Sequence, residues 1–582
     1  MLRKAAVIIG VDRPGDYTPL KSAASGAEEV AKWLTDQGYD VTCLTDKNGP
    51  VTAQDAKKAI RNFVTQPPRY HMLVVYFSGH GEYHARADHW LFSHAPTDTD
   101  DAINLEGAMD LAKYSGIPNV VFISDACRSL PNTLRGELVQ GIDAFPNYDV
   151  PTASKIDYFK ATSESLPAFE GKVDGENQGF LTYALKSAYI TPPDEMMREV
   201  QEGGVTFKVV PNRKLEQFLQ TTINDIIATK PGISFQRIDV NVPSADDVYI
   251  SRVIGPKADV APIPLSIVNP LPTIGDAAAD AITRTLSSRG LHTLAGIKSP
   301  DVDDVTYIDP QAVGMFTARL PDMAIDHLES QCGFTLHGAH VVRAVCTRGT
   351  TNAWIETLEQ GNGVSAVLRL WDVKPAVTVA VEFANGKCGI LPALAGYIGH
   401  AVYESEGLAN VSFVPSSNHP RYSMYLLHKA KLDRLRAMVS LAVTHNTFKV
   451  GSEHEALALA DEIRPEKAMD PTLGLYAAHA FSQAGNDRLV LDVLNYMRDD
   501  LNADLFDIQL LASRLLQAAA DKYTVPFCPI LTQAWNLLRP RGRTLPAVLT
   551  QAMPHLCNSL WTTFQPAVTQ SIIHAIETGE LQ

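Results

Sequence analysis

The sequence predicts an α/β fold at its start, a mostly parallel sheet flanked by helices over residues 1–245. A mixed α/β or β-rich middle domain (246–420) and an all-helical C-terminal domain (421–582) follow. Three observations predict this. Short β-branched, apolar runs alternate with amphipathic stretches through the first 245 residues, the pattern of a parallel sheet covered on both faces. From Pro243 onward prolines punctuate the chain, and later runs read as strands. From Arg421 to the end, Ala and Leu recur at helical spacing.

Taken in order, Ala5–Val11 is a short apolar strand and Ser22–Gln37 an amphipathic helix ending at Gly38. Tyr39–Leu44 is the second strand. Thr52–Val64 is a helix whose N-cap is Thr52, because its hydroxyl can accept from a free backbone N–H of the first turn. Met72–Phe77 is a third strand, Asn104–Tyr114 a helix and Val120–Ile123 a fourth strand. Tyr158–Thr162 (strand), Phe180–Tyr189 and Asn212–Ala228 (helices) and Phe235–Val242 (strand) complete the first part. In the middle part, Ala366–Trp371 and Ala376–Phe383 read as strands, the second leading into an Asn385–Gly386 turn. The helices Glu455–Ile463, Thr472–Gln483 and Arg488–Arg498 fit either a tetratricopeptide-like stack or an ordinary bundle, since no strict 34-residue period is present.

A chain of 582 residues exceeds one hydrophobic core, so three domains are expected. A formal net charge of −15 argues against a nucleic-acid binder that works by neutralising phosphates. The seven cysteines are scattered, with no CxxC pair, which disfavours structural zinc and suits a reducing compartment. The apolar run after the basic start is only about seven residues and meets Asp12, a poor signal peptide. No apolar stretch approaches the ~18–20 residues of a membrane span. A cytoplasmic protein is expected.

The chemistry is concentrated in two segments, Tyr76-Phe-Ser-Gly-His-Gly81 and Ser124-Asp-Ala-Cys-Arg-Ser129. Each follows a run that reads as a buried strand. Two adjacent parallel strands would deliver His80 and Cys127 to one sheet edge, where functional groups of open α/β sheets collect. A thiol needs a basic neighbour to become a good nucleophile near neutral pH, and histidine is the commonest one. His71, His84, His89 and His94 also lie near; the last three are read as loop residues with solvated or aromatic-packing roles.

With these residues quoted, the N-terminal part resembles the caspase/metacaspase fold, peptidase family C14, in its bacterial form. The likeness rests on Ala5–Val11, on Leu20, Val30, Leu34 and Tyr39, and above all on Phe77–Gly81 and Asp125–Ser129. Ala168-Phe-Glu170 and Gly179-Phe-Leu-Thr-Tyr183 extend it. The resemblance implies Cys127 as nucleophile, His80 as its acid–base partner and the backbone N–H groups of Gly81 and Cys127 as oxyanion hole. It implies Asp125 as the floor of an S1 pocket selecting Arg or Lys. The acid such enzymes carry on the first helix is replaced here by Gly26, with Glu28 and Glu29 on another helical face.

No cofactor or metal is expected. Calcium enters only through Asp98, Asp100 and Asp101, more simply read as a solvated loop. The partner aspartate implied after the cysteine is missing, as Leu134 and Arg135 stand there. The expected partners are a protein substrate and an activating ligand or protein acting through residues 246–582, with no nucleic acid and no membrane span. By the resemblance, such architectures occur in regulated death or antiphage defence. The segment Leu130–Lys155, carrying Arg135 and Lys155, is a candidate for self-cleavage. The competing reading is a catalytically silent scaffold or regulatory interaction protein.

Overall fold

The apolar runs form the centre of a six-stranded sheet in a computed structural model of the protein. It describes residues 3–65, 69–84, 87–129, 131, 134–148, 153–163, 168–173, 176–202, 204–230, 236–254, 330–347, 353–360, 363–444, 446–451, 453–516 and 524–582. Leu130, Phe235 and the prolines at 256, 262, 264, 270 and 272 lie outside them. The chain forms two compact units, Met1–Ile267 and Val268–Gln582.

In the first unit, β1 (Lys4–Gly10), α1 (Ala23–Asp36), β2 (Tyr39–Thr45), α2 (Ala53–Thr65) and β3 (Met72–Gly79) follow one another. Three short strands come next, β4 (Gly81–His84), β5 (Ala87–Leu91) and β6 (Ala102–Asn104), then α3 (Leu105–Ala112) and β7 (Asn119–Ala126). The rest comprises α4 (Leu134–Glu137), β8 (Lys155–Lys160), the hairpin β9 (Glu170–Val173)/β10 (Glu176–Gly179), α5 (Phe180–Ile190) and the hairpin β11 (Arg198–Glu202)/β12 (Val205–Val209). α6 (Leu215–Ala228) and β13 (Asp239–Asn241) close it. The main sheet has the order β13-β8-β7-β3-β1-β2, parallel throughout except for the β13–β8 edge pair.

Alternate residues of the central strands face opposite layers, as the pleat requires. Ile8, Val74, Tyr76 and Ile123 pack on α1, α5 and α6 through Leu34, Leu185 and Leu219. Val7, Val75, Phe77 and Phe122 pack on α2 and α3 through Ile60 and Leu111. Burial on both faces is why these strands read as unbroken apolar runs. Thr52 caps α2 as expected: its hydroxyl accepts from Asp55 N at 3.2 Å and the Asp55 carboxylate accepts from Thr52 N at 3.0 Å.

Three expectations need correction. Of the three histidines after His80, His84 lies in β4 and His89 in β5 rather than in a loop, although their rings stack at 4.1 Å as a packing role requires, and His94 lies in a turn as expected. The last strand shortens to Asp239–Asn241, antiparallel to β8. Asn212 opens a 3₁₀ turn rather than the helix, because its amide donates to buried Asp157 at 2.7 Å.

In the second unit, β14 (Cys332–His337), β15 (Val341–Cys346), β16 (Ala353–Gln360), β17 (Gly363–Leu370), β18 (Ala376–Phe383), β19 (Cys388–Leu394), β20 (Tyr397–Glu404) and β21 (Gly407–Pro415) precede the helices. They form the sheets β16-β17-β14-β20-β21 and β15-β18-β19, the latter completed by a strand at Thr563–Phe564. The helices include α7 (Tyr422–Leu441), α8 (Glu453–Ile463), α9 (Pro471–Gln483) and α10 (Asp487–Leu501). The strand-rich middle and the helices share one core, in which Phe334, Val379 and Phe413 meet Leu435, Ile463, Phe481 and Leu494. Buried Asp470 ties them polarly, accepting from Arg436 Nε at 2.7 Å, Phe413 N at 3.1 Å and Thr472 N at 3.0 Å.

Candidate active site

Strands β3 and β7 run in parallel register to Gly79 opposite Ala126, so the next residues, His80 and Cys127, leave neighbouring strand ends side by side. Continuous burial of Met72–Gly79 and Asn119–Ala126 fixes that register, since a slip of one residue would turn every apolar side chain to the wrong layer. The backbone at His80 is held by Leu91 N, which donates to its carbonyl at 3.0 Å. Gly81 follows against the second strand end. A Cβ there would stand 2.4 Å from the Cys127 carbonyl oxygen, so only glycine lets the two main chains approach.

His80 is half-buried, with Nε2 2.8 Å from the Thr18 carbonyl oxygen and its ring 5.3 Å from that of Tyr17. A carbonyl only accepts, so Nε2 carries the proton and Nδ1 of the neutral ring is left as the acceptor. Burial pushes the imidazole below its ordinary range, outweighing the Thr18 carbonyl and the Glu170 carboxylate, which favour the charged form. The Tyr17 hydroxyl donates to Glu82, whose second oxygen, Oε2, is buried without a partner among the described residues.

Cys127 is half-buried, and its Sγ lies 3.5 Å from the Ala168 carbonyl oxygen. Burial pushes the thiol up, and the charges of Asp125 and Glu170 add to this. At neutral pH the resting pair is therefore thiol and neutral imidazole, not an ion pair.

Asp125 is buried at the start of α5. Its Oδ2 accepts from Thr182 N at 3.1 Å and from the Thr182 hydroxyl, which in turn accepts from Tyr76 Oη at 2.7 Å. Gly179 makes the fit possible, because a Cβ there would stand 2.1 Å from Oδ2. Burial raises the carboxyl to about 6 against the lowering effect of the Thr182 bonds, and Glu170 raises it further. Asp125 thus holds the positive end of α5 beside the cysteine.

The other acids sort clearly. Glu28 pairs with Lys47 and Glu29 with Lys186, each at 2.6 Å, so both are matched by cations of their own. Gly26 is buried, yet beyond its chain neighbours and the backbone of its own helix no described heavy atom stands within 4 Å of where its Cβ would be. Asp101 is buried and accepts from Ala53 N at 2.7 Å and His94 N at 2.8 Å, capping α2. Asp98 accepts from Asp100 N at 3.0 Å. Among the described residues no three His, Cys, Asp or Glu side chains are grouped to hold a metal, and no helix is long and apolar enough to cross a membrane.

Behind the cysteine lies a buried charge cluster absent from the sequence reading. Arg128 donates to Asp88 at 2.6 Å, to Asp239 at 2.9 Å and to the Thr162 carbonyl at 3.1 Å. Lys160 donates to Asp88 at 2.5 Å and to Glu106 at 3.1 Å. Burial alone would raise the Asp88 carboxyl, but Arg128 and Lys160 outweigh it and hold it well below its ordinary range. The available signal was a charged residue set within each otherwise largely apolar strand, Asp88 in β5 and Lys160 at the end of β8. The carbonyls of Thr18 and Ala168 had none, since any residue type supplies them.

Residues 3–218 match the family model of the caspase domain, peptidase C14. The expected resemblance is met over that span, and the match covers none of the remaining residues. Among solved structures, a protein from Geobacter sulfurreducens is similar at 12% identity and a TM-score of 0.30, covering 43% of this chain and 97% of that one. Pro-sf-caspase-1 is similar at 13% identity and a TM-score of 0.26, covering 41% and 91% respectively. No curated protein matches the chain.

Proposed function

We propose that the first unit is a cysteine endopeptidase of caspase/metacaspase type that cuts a protein partner after Arg or Lys. The observation that carries the reading is the side-by-side exit of His80 and Cys127 from strands in register, with the imidazole tautomer set by Thr18. In the reaction, the Cys127 proton passes to Nδ1 of His80 and the thiolate adds to the peptide carbonyl. The backbone N–H groups of Gly81 and Cys127 stabilise the oxyanion. The C–N bond then breaks as His80 returns the proton to the leaving amine, and water, deprotonated by His80, hydrolyses the thioester.

Asp125 is assigned to the floor of the pocket for the residue before the scissile bond. A buried carboxylate there favours a cationic side chain and disfavours an apolar or anionic one. The strand-rich residues 246–420 and the helical residues 421–582 are assigned to sensing, docking or restraint of the peptidase, in the cytoplasm and in a defence or cell-death setting. One observation favours a catalytically silent scaffold instead, the Cys127 thiol held above its ordinary range.

Cleavage of fluorogenic peptides with Arg, Lys, Asp or Leu before the scissile bond tests the reading. The wild type is expected to turn over the Arg and Lys peptides, and Cys127→Ala to lose at least about 1,000-fold in kcat/KM. Equal turnover by Cys127→Ala would overturn it, as would preference for Asp in the case of Asp125.

A further inference from the structure

Glu82 is the second residue of β4, beside Gly81, and is 4% exposed. Its Oε1 accepts from the Tyr17 hydroxyl, while Oε2 is buried with no hydrogen-bond partner among the described residues. Burial raises the carboxyl, and the Tyr17 bond offsets this only in part. A buried carboxylate oxygen left unpaired is costly, and the group that suits it is a cationic donor.

The backbone facing this carboxylate is that of Gly136 in α4. A Cβ on Gly136 would stand 2.9 Å from Oε1 and 2.9 Å from Oε2. The Gly136 nitrogen hangs on the same Cα, roughly 2.5 Å from that point. The residue before it is Arg135, the exposed basic residue of the candidate self-cleavage segment. Hydrolysis after Arg135 breaks its C–N bond to Gly136. Water gives its oxygen to the carbonyl carbon and both hydrogens to the nitrogen, leaving an Arg135 carboxylate and a Gly136 ammonium. An α-amine titrates near 7.7–8.0, so the new chain end is charged at pH 7.

The chain beyond Gly136 is anchored independently of Arg135. The Val139 carbonyl accepts from His84 Nε2 at 2.6 Å, and Ile142 N donates to the Ala102 carbonyl at 2.7 Å. Those anchors hold the new ammonium near Glu82, whereas the new Arg135 carboxylate is repelled by it. Tyr17 connects the place to the reacting residues, since its ring lies 5.3 Å from that of His80. The carbonyl of the next residue, Thr18, lies 2.8 Å from His80 Nε2.

We propose that Glu82 is the binding site for the α-ammonium of Gly136 that cleavage after Arg135 creates, and that this ion pair fixes Tyr17 and Thr18 against His80. The inference rests on the peptidase reading, with the protein's own chain as the substrate at Arg135. Glu82 is a positioning residue in it, acting through Tyr17.

The test uses the full chain with residues 130–135 replaced by the recognition sequence of a site-specific protease that cuts before glycine. Gly136 then becomes a chain end without any activity of the protein itself. The cut chain is treated with limiting acetic anhydride at pH 7, beside a peptide of residues 136–142, and mass spectrometry reads acetylation at the α-amine. Gly136 in the cut chain is expected to react at least about tenfold more slowly than the peptide, the equivalent of a one-unit rise in its pKa. Glu82→Gln is expected to restore the rate of the peptide. Gly136→Ala, which keeps Glu82 but puts a methyl group against both its oxygens, is expected to do the same. Fast acetylation of the cut chain overturns the inference, and so does slow acetylation that both substitutions leave unchanged, which would be burial alone. Resistance of the bond to the protease overturns it too, since α4 must open for the chain end to form. Cutting is also expected to raise turnover of the Arg peptide by at least about tenfold, with no rise in Glu82→Gln. Protection of the amine without that rise overturns the link to His80. Because acetylation needs no peptidase activity, a chain that protects the amine yet cuts no peptide keeps the binding site and loses the peptidase reading.

Discussion

The His80 imidazole donates from Nε2 to the carbonyl of Thr18 at 2.8 Å, a bond that spends one ring nitrogen on orientation and leaves the other for proton transfer. With the imidazole pushed down and the Cys127 thiol pushed up by burial, the proton stays on sulfur at neutral pH. Alkylation of Cys127 by iodoacetamide should therefore be slow at pH 7 and rise with pH, its midpoint above the ordinary thiol value of 9.0. A reactive plateau extending down to pH 5 would mean a resting ion pair and would contradict this assignment.

Asp125 contributes stability to the first unit at acid pH. Its folded pKa of about 6 lies above the unfolded value of 3.8, so the folded state binds the proton more tightly. The stabilisation is complete below 3.8 and is lost as pH rises through about 6, an effect of about 3 kcal/mol. Asp125→Asn keeps an acceptor for the Thr182 N–H and hydroxyl without the charge. It should be at least as stable as the wild type at pH 7, with the rise in Tm between pH 7 and 4 flattened. A steeper pH dependence in the variant would refute the assignment.

How much of this was legible depends on what a residue type can announce. The strands ending at Gly79 and Ala126 were legible because both their faces are buried, so periodicity gave way to continuous Val, Ile, Leu and Phe. His80 and Cys127 were legible because side-chain chemistry sits at strand ends. The β4–β6 sheet was not, since its strands are three to five residues long and carry His84, Asp88 and His89. In the second unit only two strands were read, although the segments from Cys332 to Pro415 hold eight. Contacts such as Glu170 with Ser22, 148 residues apart, leave no local pattern.

The charges behind the nucleophile make a sharper test of packing. Asp88 accepts from both Arg128 and Lys160 in a site closed to water. Asp88→Asn would leave two buried cations short of a counter-charge, and breaking such a pair costs about 3–5 kcal/mol. Chemical denaturation of the variant should show a loss in that range, with peptidase activity lost in parallel because Arg128 adjoins Cys127. A change below about 1 kcal/mol would mean that Glu106 and Asp239 suffice to hold both cations.

Self-cleavage, if the peptidase cuts its own chain, should choose between two basic residues, and the structure separates them. Lys155 opens β8, where its N–H donates to the Pro118 carbonyl at 2.9 Å and its partner in β7 is Asn119. A bond locked in the central sheet cannot extend into a cleft without unfolding β8. Arg135 sits in the four-residue helix α4, its side chain 68% exposed and only loosely paired with Asp16 at 3.7 Å. A single turn costs little to unwind, because so short a helix is marginal by itself. Cleavage should therefore fall after Arg135. Arg135→Gln should leave the chain intact under activating conditions, and Lys155→Gln should not. Mass spectrometry of the fragments decides this, and a cut after Lys155 in the wild type would sink the argument from exposure.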